Sequence, residues 1–258
     1  MHLGWQAKQR PDAMAVIESG GRTVTYAELA ARSRQLAAAI GLRPGDALAI
    51  RMPSGTAFLE VARAAQRSGL LYTPVNTHLL PAEVEEMTQG KLLITEEVYE
   101  RLLAAPGTGE FEECEGRELP FSGGTTGRPN AVRKQLTVGP MGGPAAECVQ
   151  VAQGLAHYGF GPDAAYLSTA PFHHASPLVH CIRLGATLVV MDRFDAAECL
   201  ELIERHRVTH AQFARGPARR RALPGGGQAA VYLTDRVAHT IVSGGVNIHS
   251  SPPCSSAC

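Results

Sequence analysis

The sequence predicts an α/β protein built as a layered, mostly parallel sheet flanked by helices. Three observations carry that expectation: strand-length apolar runs alternate with helix-length segments, two helices open on capping signatures, and glycine-containing turns separate the units. Strands joined through helix-length segments pair in parallel and are covered by helices on both faces.

The elements follow in order. Thr25-Tyr26-Ala27-Glu28 is a capping box, with Thr25 as N-cap and Glu28 reaching back, and an alanine-rich helix runs from it to about Ile40, where Gly41 ends it. Gly45-Asp46 turns the chain into the strand-like run Ala47 to Arg51. Thr56 to Arg67 then reads as a helix and Leu70 to Val75 as a strand. Glu83, Glu85 and Glu86 fall on a short helix after Pro81 and read as a solvated face, not a catalytic pair. Ala164 to Ala170 and Ala186 to Met191 are further strands, Asp195-Ala-Ala-Glu198 caps a helix to about Arg207, and Val208 to Phe213 is the next strand. No internal repeat is visible.

Composition narrows the function classes. The 258 residues are 45% hydrophobic and 19% charged, which suits a globular protein of one or two domains with a substantial core. Lysine plus arginine equals aspartate plus glutamate at 24 each, so no global field draws the protein to nucleic acid or to an anionic surface. Small molecules are the expected partners. Met1 to Ala13 lacks the apolar stretch of a secretory signal, and no apolar run approaches the roughly 20 residues that cross a bilayer, so a cytoplasmic protein with no membrane span is expected. The cysteines Cys114, Cys148, Cys181, Cys199, Cys254 and Cys258 form no C-x-x-C pair and no zinc-finger spacing, and read as reduced thiols with no metal site.

Two segments break the alternation. Arg215 to Gln228, with Arg219-Arg220-Arg221 and Gly225-Gly226-Gly227, has linker composition; without interleaved aromatics or a binding module it reads as a solvated linker rather than a nucleic-acid patch. Ser250 to Cys258 is a low-complexity Ser/Pro/Cys tail.

The segment richest in chemistry is Phe121-Ser122-Gly123-Gly124-Thr125-Thr126-Gly127-Arg128-Pro129, just before the strand-like Ala131 to Leu136. Its glycines let the backbone approach a ligand and turn successive N–H groups inward, while Ser122, Thr125 and Thr126 add hydroxyl donors. Preorganised donors of this kind stabilise phosphate oxygens. Alone, the stretch could equally be a flexible Gly/Thr turn. G-x-S-x-G, H-E-x-x-H, G-x-x-x-x-G-K-[ST] and EF-hand patterns are absent from the sequence. Gly225 to Ala230 precedes a strand-like run instead of following one, which argues against a dinucleotide site.

This segment resembles the phosphate-binding signature of the adenylate-forming, AMP-binding superfamily, and further landmarks occur in that family's order. Upstream are Val24-Thr25-Tyr26-Ala27-Glu28-Leu29, Gly45-Asp46 and Pro74-Val75-Asn76. Downstream are Pro171-Phe172-His173-His174 and Tyr232-Leu233-Thr234-Asp235-Arg236 with Ser243-Gly244-Gly245-Val246-Asn247-Ile248. The likeness is nearest to bacterial fatty-acyl-CoA synthetases and covers most of Pro11 to His249, with gaps. It implies ATP, Mg2+ and coenzyme A as co-substrates, and a fatty or other carboxylic acid activated first to an acyl-adenylate and then to a thioester.

Carried over by resemblance, Ser122, Gly123, Gly124, Thr125, Thr126 and Gly127 hold the β- and γ-phosphates, and Arg236 contacts the nucleotide. His174 sits beside the acyl carboxylate and ATP as the catalytic candidate, and Gly244 and Gly245 line the pantetheine tunnel. Each position also has a plainer reading: a histidine at a strand end for His174, a surface ion pair for Arg236, a hairpin turn for Gly244-Gly245.

Departures from the pattern point to impaired activity. Asn130 occupies the place of the loop's usual lysine, which removes one positive charge from the leaving pyrophosphate, and a glycine beside Ser122 stands where the family has a hydroxyl residue. Between Phe213 and Val231 the family's Tyr-x-x-Thr-Glu element and its ribose-binding aspartate are not found, and after Ile248 its continuation gives way to Ser250 to Cys258. The expected organisation is therefore an incomplete AMP-binding N-terminal domain over residues 1–214, a linker across a deletion at 215–229, a hinge-region remnant at 230–249, and a disordered tail at 250–258. A frame shift or deletion would account for the break. A non-catalytic remnant that binds nucleotide or acyl ligand weakly is the alternative.

Overall fold

The computed structural model describes residues 2–105, 111–119, 121–122, 130–131, 139–143, 147–213, 240–243 and 246–249. In chain order the elements are α1 (Leu3–Gln9), β1 (Met14–Glu18), β2 (Thr23–Thr25), α2 (Tyr26–Ile40), β3 (Ala47–Ile50), α3 (Thr56–Arg67), β4 (Leu71–Pro74), α4 (Pro81–Thr88), β5 (Leu92–Ile94) and α5 (Glu96–Ala104). The short strands β6 (Arg117–Glu118), β7 (Phe121–Ser122) and β8 (Asn130–Ala131) follow, then α6 (Glu147–His157), β9 (Ala165–Ser168), α7 (Phe172–Ala175), a 3-10 helix (Ser176–Leu184), β10 (Thr187–Val190), α8 (Ala196–Arg205), β11 (His210–Gln212) and the hairpin β12 (Thr240–Ser243) and β13 (Val246–His249).

The expected α/β layers are built on two main sheets, beside the two-stranded pairs β7-β8 and β12-β13. The first runs β11-β9-β10-β1-β2 and the second β5-β3-β4-β6. Every pairing in the second sheet is parallel, and in the first only β1–β2 is antiparallel.

Side-chain alternation assigns the layers. On β9 and β10, Tyr166, Leu188 and Val190 enter the large core that also holds Leu29 and Leu36 of α2, Leu59 of α3 and Leu48 and Ile50 of β3. Their neighbours Leu167 and Val189 enter a smaller cluster with Cys199 and Leu202 of α8. Ala49, between Leu48 and Ile50, joins Val75 and Val84 of α4 in a third. The period of two thus gives each strand one face toward the helices between the sheets and one toward an outer helix.

Local chemistry sets the helix ends. Thr25 and Glu28 form the full capping box of α2, and Gly41 closes that helix at φ 65°, a left-handed conformation that glycine adopts without Cβ strain. Asp195 caps α8 through the Ala197 and Glu198 N–H groups. Glu83, Glu85 and Glu86 are exposed on α4. Cys114, Cys181 and Cys199 are buried free thiols, and burial lifts the Cys181 pKa to about 12. Among the described residues no helix is long and apolar enough to cross a membrane.

Buried polar links join distant segments. Tyr26 is fully buried, and its hydroxyl lies 3.0 Å from the Ile182 carbonyl and 2.8 Å from that of Ala186, fixing α2 to the turn before β10. The guanidinium of Arg183 donates to both carboxylate oxygens of Glu115 at 2.8 and 3.0 Å, and the Gly142 N–H donates to the same carboxylate at 2.7 Å. This pair connects the 3-10 helix to the segment that leads into β6 and β7.

Candidate functional site at the carboxyl edge of the two sheets

Parallel strands present all their carboxyl ends to one side, and open α/β sheets place ligands there. Both sheets of this protein turn that edge the same way. Glu18, the last residue of β1, accepts the Thr56 N–H at the start of α3 at 2.6 Å, so its carboxylate faces the positive end of that helix. Ser54, in the turn between β3 and α3, accepts the Phe172 N–H beyond β9 at 2.9 Å. Thr169 Oγ1, also beyond β9, donates to the Gln212 carbonyl at the end of β11 at 2.7 Å.

Packing holds α7 at this edge. Phe172 is 1% exposed, and its ring lies 5.3 Å from that of Phe58 on α3 in a tilted arrangement. His173 and His174 follow it directly within α7. The backbone of His174 therefore lies two residues beyond an anchored aromatic, past the carboxyl end of β9.

The glycine-rich segment leaves the other sheet at the corresponding place. The Leu119 N–H donates to the Tyr72 carbonyl at 2.8 Å as β6 ends, and β7 begins two residues later. β7 pairs antiparallel with β8, with Phe121 opposite Ala131 and Ser122 opposite Asn130. Ser122 and Asn130 thus face each other across the neck of a hairpin. Gly123 to Gly127 lie outside the described residues, as do Arg236, Gly244 and Gly245; β12 and β13 flank the last two as an antiparallel hairpin. The expected linker at 215–228 and the tail at 250–258 also fall outside them.

A cleft of about 470 Å³ opens between the ends of β1 and β10, lined by Glu18, Ser19, Ser54, Asp192, Arg193 and Glu198 with Gly20 and Val190. Its three carboxylates stand against one guanidinium, a charge balance unfavourable for a polyphosphate. Among the described residues no group of histidine, cysteine, aspartate or glutamate is arranged to hold a metal ion.

Glu18 and Ser54, which tie the two edges together, were not singled out by sequence reasoning. A local signal existed for Ser54: Ser54-Gly55-Thr56 is a helix-start pattern. Glu18 carries no such signal, because its partner is a backbone N–H 38 positions away.

The chain belongs to the AMP-binding enzyme family, whose pattern matches residues 3–116 and 117–219. It is 31% identical over 235 residues to a feruloyl-CoA synthase of Amycolatopsis, covering 79% of this chain and 46% of that protein. It is 26% identical over 235 residues to a 4-coumarate-CoA ligase of Narcissus pseudonarcissus, with 74% and 42% covered. The chain thus spans about half the length of the curated relatives it matches. Its fold is that of the N-terminal domain of FACL13 from Mycobacterium tuberculosis, with a TM-score of 0.67 at 24% identity, covering 81% of this chain and 61% of that one. It also matches o-succinylbenzoate CoA synthetase from Bacillus subtilis in complex with its acyl-adenylate intermediate, with a TM-score of 0.62 at 26% identity, covering 81% and 60%.

Proposed function

We propose that this chain carries the acid-activating domain of an acyl-CoA synthetase. In the first half-reaction a carboxylate oxygen attacks the α-phosphorus of ATP and pyrophosphate leaves; in the second, the coenzyme A thiol attacks the acyl carbon and AMP leaves. The observation that carries this reading is the shared carboxyl edge, where the neck of the Ser122 to Gly127 loop and the start of α7 both emerge from strand ends. Family membership and the CoA-ligase names of its relatives support it.

Within that reading each residue has a task. Ser122, Thr125 and Thr126 and the N–H groups of Gly123, Gly124 and Gly127 offer donors only an acceptor-rich ligand can use, which fits the β- and γ-phosphates. Mg2+ would arrive on the triphosphate and neutralise part of its charge. His174 would lie beside the acyl carboxylate, Arg236 would bind nucleotide oxygens bidentately, and Gly244 and Gly245 would leave room for pantetheine. Residues 1–214 form the AMP-binding domain in this proposal, 215–229 a linker, 230–249 the hinge region and 250–258 a tail. The acid is a fatty acid or, following the names of the relatives, a hydroxycinnamic acid, and the reaction takes place in the cytoplasm.

Asn130 favours weakened turnover. It pairs in register with Ser122 at the position where the family pattern has a lysine, so the sequence carries no charge there, and between Phe213 and Val231 it lacks the family's Tyr-x-x-Thr-Glu element. A chain that binds nucleotide without completing the reaction is the second reading this supports. Acid-dependent exchange of labelled pyrophosphate into ATP, measured with fatty and hydroxycinnamic acids, separates the two: exchange above the acid-free control supports the enzyme, and saturable ATP binding without exchange supports the binder.

A further inference from the structure

Helix α3 buries a cation for which the described residues supply no anion. Arg63 is 2% exposed. Its Nη1 donates to Gln66 Oε1, one turn along the helix, and lies 3.5 Å from His180 Nδ1 on the 3-10 helix. Its Nε and Nη2, together with Gln66 Nε2, have no hydrogen-bond partner. The buried carboxylate of Glu115 is committed elsewhere, since it takes both terminal nitrogens of Arg183 and the Gly142 N–H. His180 adds no compensating charge. Burial first, and then the charges of Arg63 and Arg183, hold its pKa well below the usual histidine value and leave it neutral.

Arginine keeps its charge in folded proteins, so this group has no neutral form to retreat to. Water could satisfy the orphaned hydrogens but would leave the charge uncompensated. An anion does both. The neighbours exclude a large one: Gln66 is 2% exposed, His180 6% and Arg183 1%. We propose that Arg63 and Gln66 hold a small monovalent inorganic anion of the chloride type, accepting from Arg63 Nε and Nη2 and from Gln66 Nε2. The site is separate from the carboxyl edge and does not depend on the nucleotide chemistry proposed there.

The test is the thermal unfolding of the full chain at constant ionic strength as sodium gluconate, too large for the site, is exchanged for sodium chloride. A saturable rise of several degrees is expected for the wild type, because a ligand that binds only the folded state stabilises it by mass action. Arg63→Met should melt at the same temperature in both salts. Equal melting of the wild type in the two salts, or a chloride dependence that survives in Arg63→Met, would overturn the proposal. If Arg63→Met does not fold, crystals of the wild type grown in bromide decide. An anomalous peak beside Arg63 Nε and Gln66 Nε2 is expected, and water or empty space there refutes the site.

Discussion

Replacing Glu115 by glutamine keeps the shape of the side chain and removes its charge. The carboxylate and its partner Arg183 are each 2% exposed in their side chains, so the change removes the negative charge that faces a buried guanidinium. Breaking a buried pair from one side costs about 3 to 5 kcal/mol, a large fraction of the roughly 5 to 15 kcal/mol that holds a domain folded. For a chain of this size that corresponds to a fall in melting temperature of about 6 to 20 °C. Urea unfolding followed by circular dichroism measures the loss, and the double variant Glu115→Gln/Arg183→Met supplies the control. Removing both charges should recover much of the stability, because an apolar pair of similar volume avoids the desolvation cost. A single variant within about 1 kcal/mol of the wild type, or a double variant less stable than the single, would refute the assignment of this pair as a buried structural link.

Other outcomes follow from the same structure. Tyr26→Phe should cost about 1 to 2 kcal/mol in urea unfolding, since it removes the hydroxyl shared by the Ile182 and Ala186 carbonyls while keeping the ring. Phe172→Ala should cost about 3 to 5 kcal/mol and loosen α7, because the ring is buried against Phe58; weaker protection of amides 172–175 in hydrogen exchange would report the loosening. Burial raises the Glu60 pKa above the ordinary carboxylate value, so the folded state holds that proton more tightly than the unfolded state. The stability this group contributes is complete below the ordinary carboxylate pKa and declines as pH rises through the raised one; Glu60→Gln should flatten the decline in a pH series of melting temperatures. Asn130→Lys should strengthen ATP binding by a factor worth at most a few kcal/mol without producing acyl-CoA above background, because one restored cation does not replace groups that act together.

Much of the layering was legible because it is written locally. The capping box at Thr25, the Asp195 cap and the apolar runs of β3, β9 and β10 each declare themselves within a few residues. What escaped depends on distant partners. Met14–Glu18 is short, yet it is a central strand, because Val16 pairs with Leu188 on one side and Val24 on the other. The Arg183–Glu115 pair spans 68 positions and reads in sequence as two ordinary surface charges. Gly116 is another such case: a Cβ there would lie 2.3 Å from the Leu70 carbonyl oxygen, a close approach that no turn signal in the sequence announces. Of the candidate site, the structure describes the loop neck at Ser122 and Asn130 and the backbone of His174 in α7. The glycines and threonines proposed to hold phosphate, with Arg236, Gly244 and Gly245, lie outside the described residues and rest on the family pattern.

The proposed nucleotide site is tested most directly by equilibrium dialysis of the full chain against labelled ATP with Mg2+, beside the variant Thr125→Ala/Thr126→Ala. Removing two hydroxyl donors to phosphate, each contributing about 1 kcal/mol or more, should weaken binding at least about tenfold without lowering the melting temperature of the free protein. Saturable binding by the wild type and that loss in the variant are the expected result. No saturable binding, or equal affinity in the two proteins, would contradict a phosphate-holding loop at the carboxyl edge.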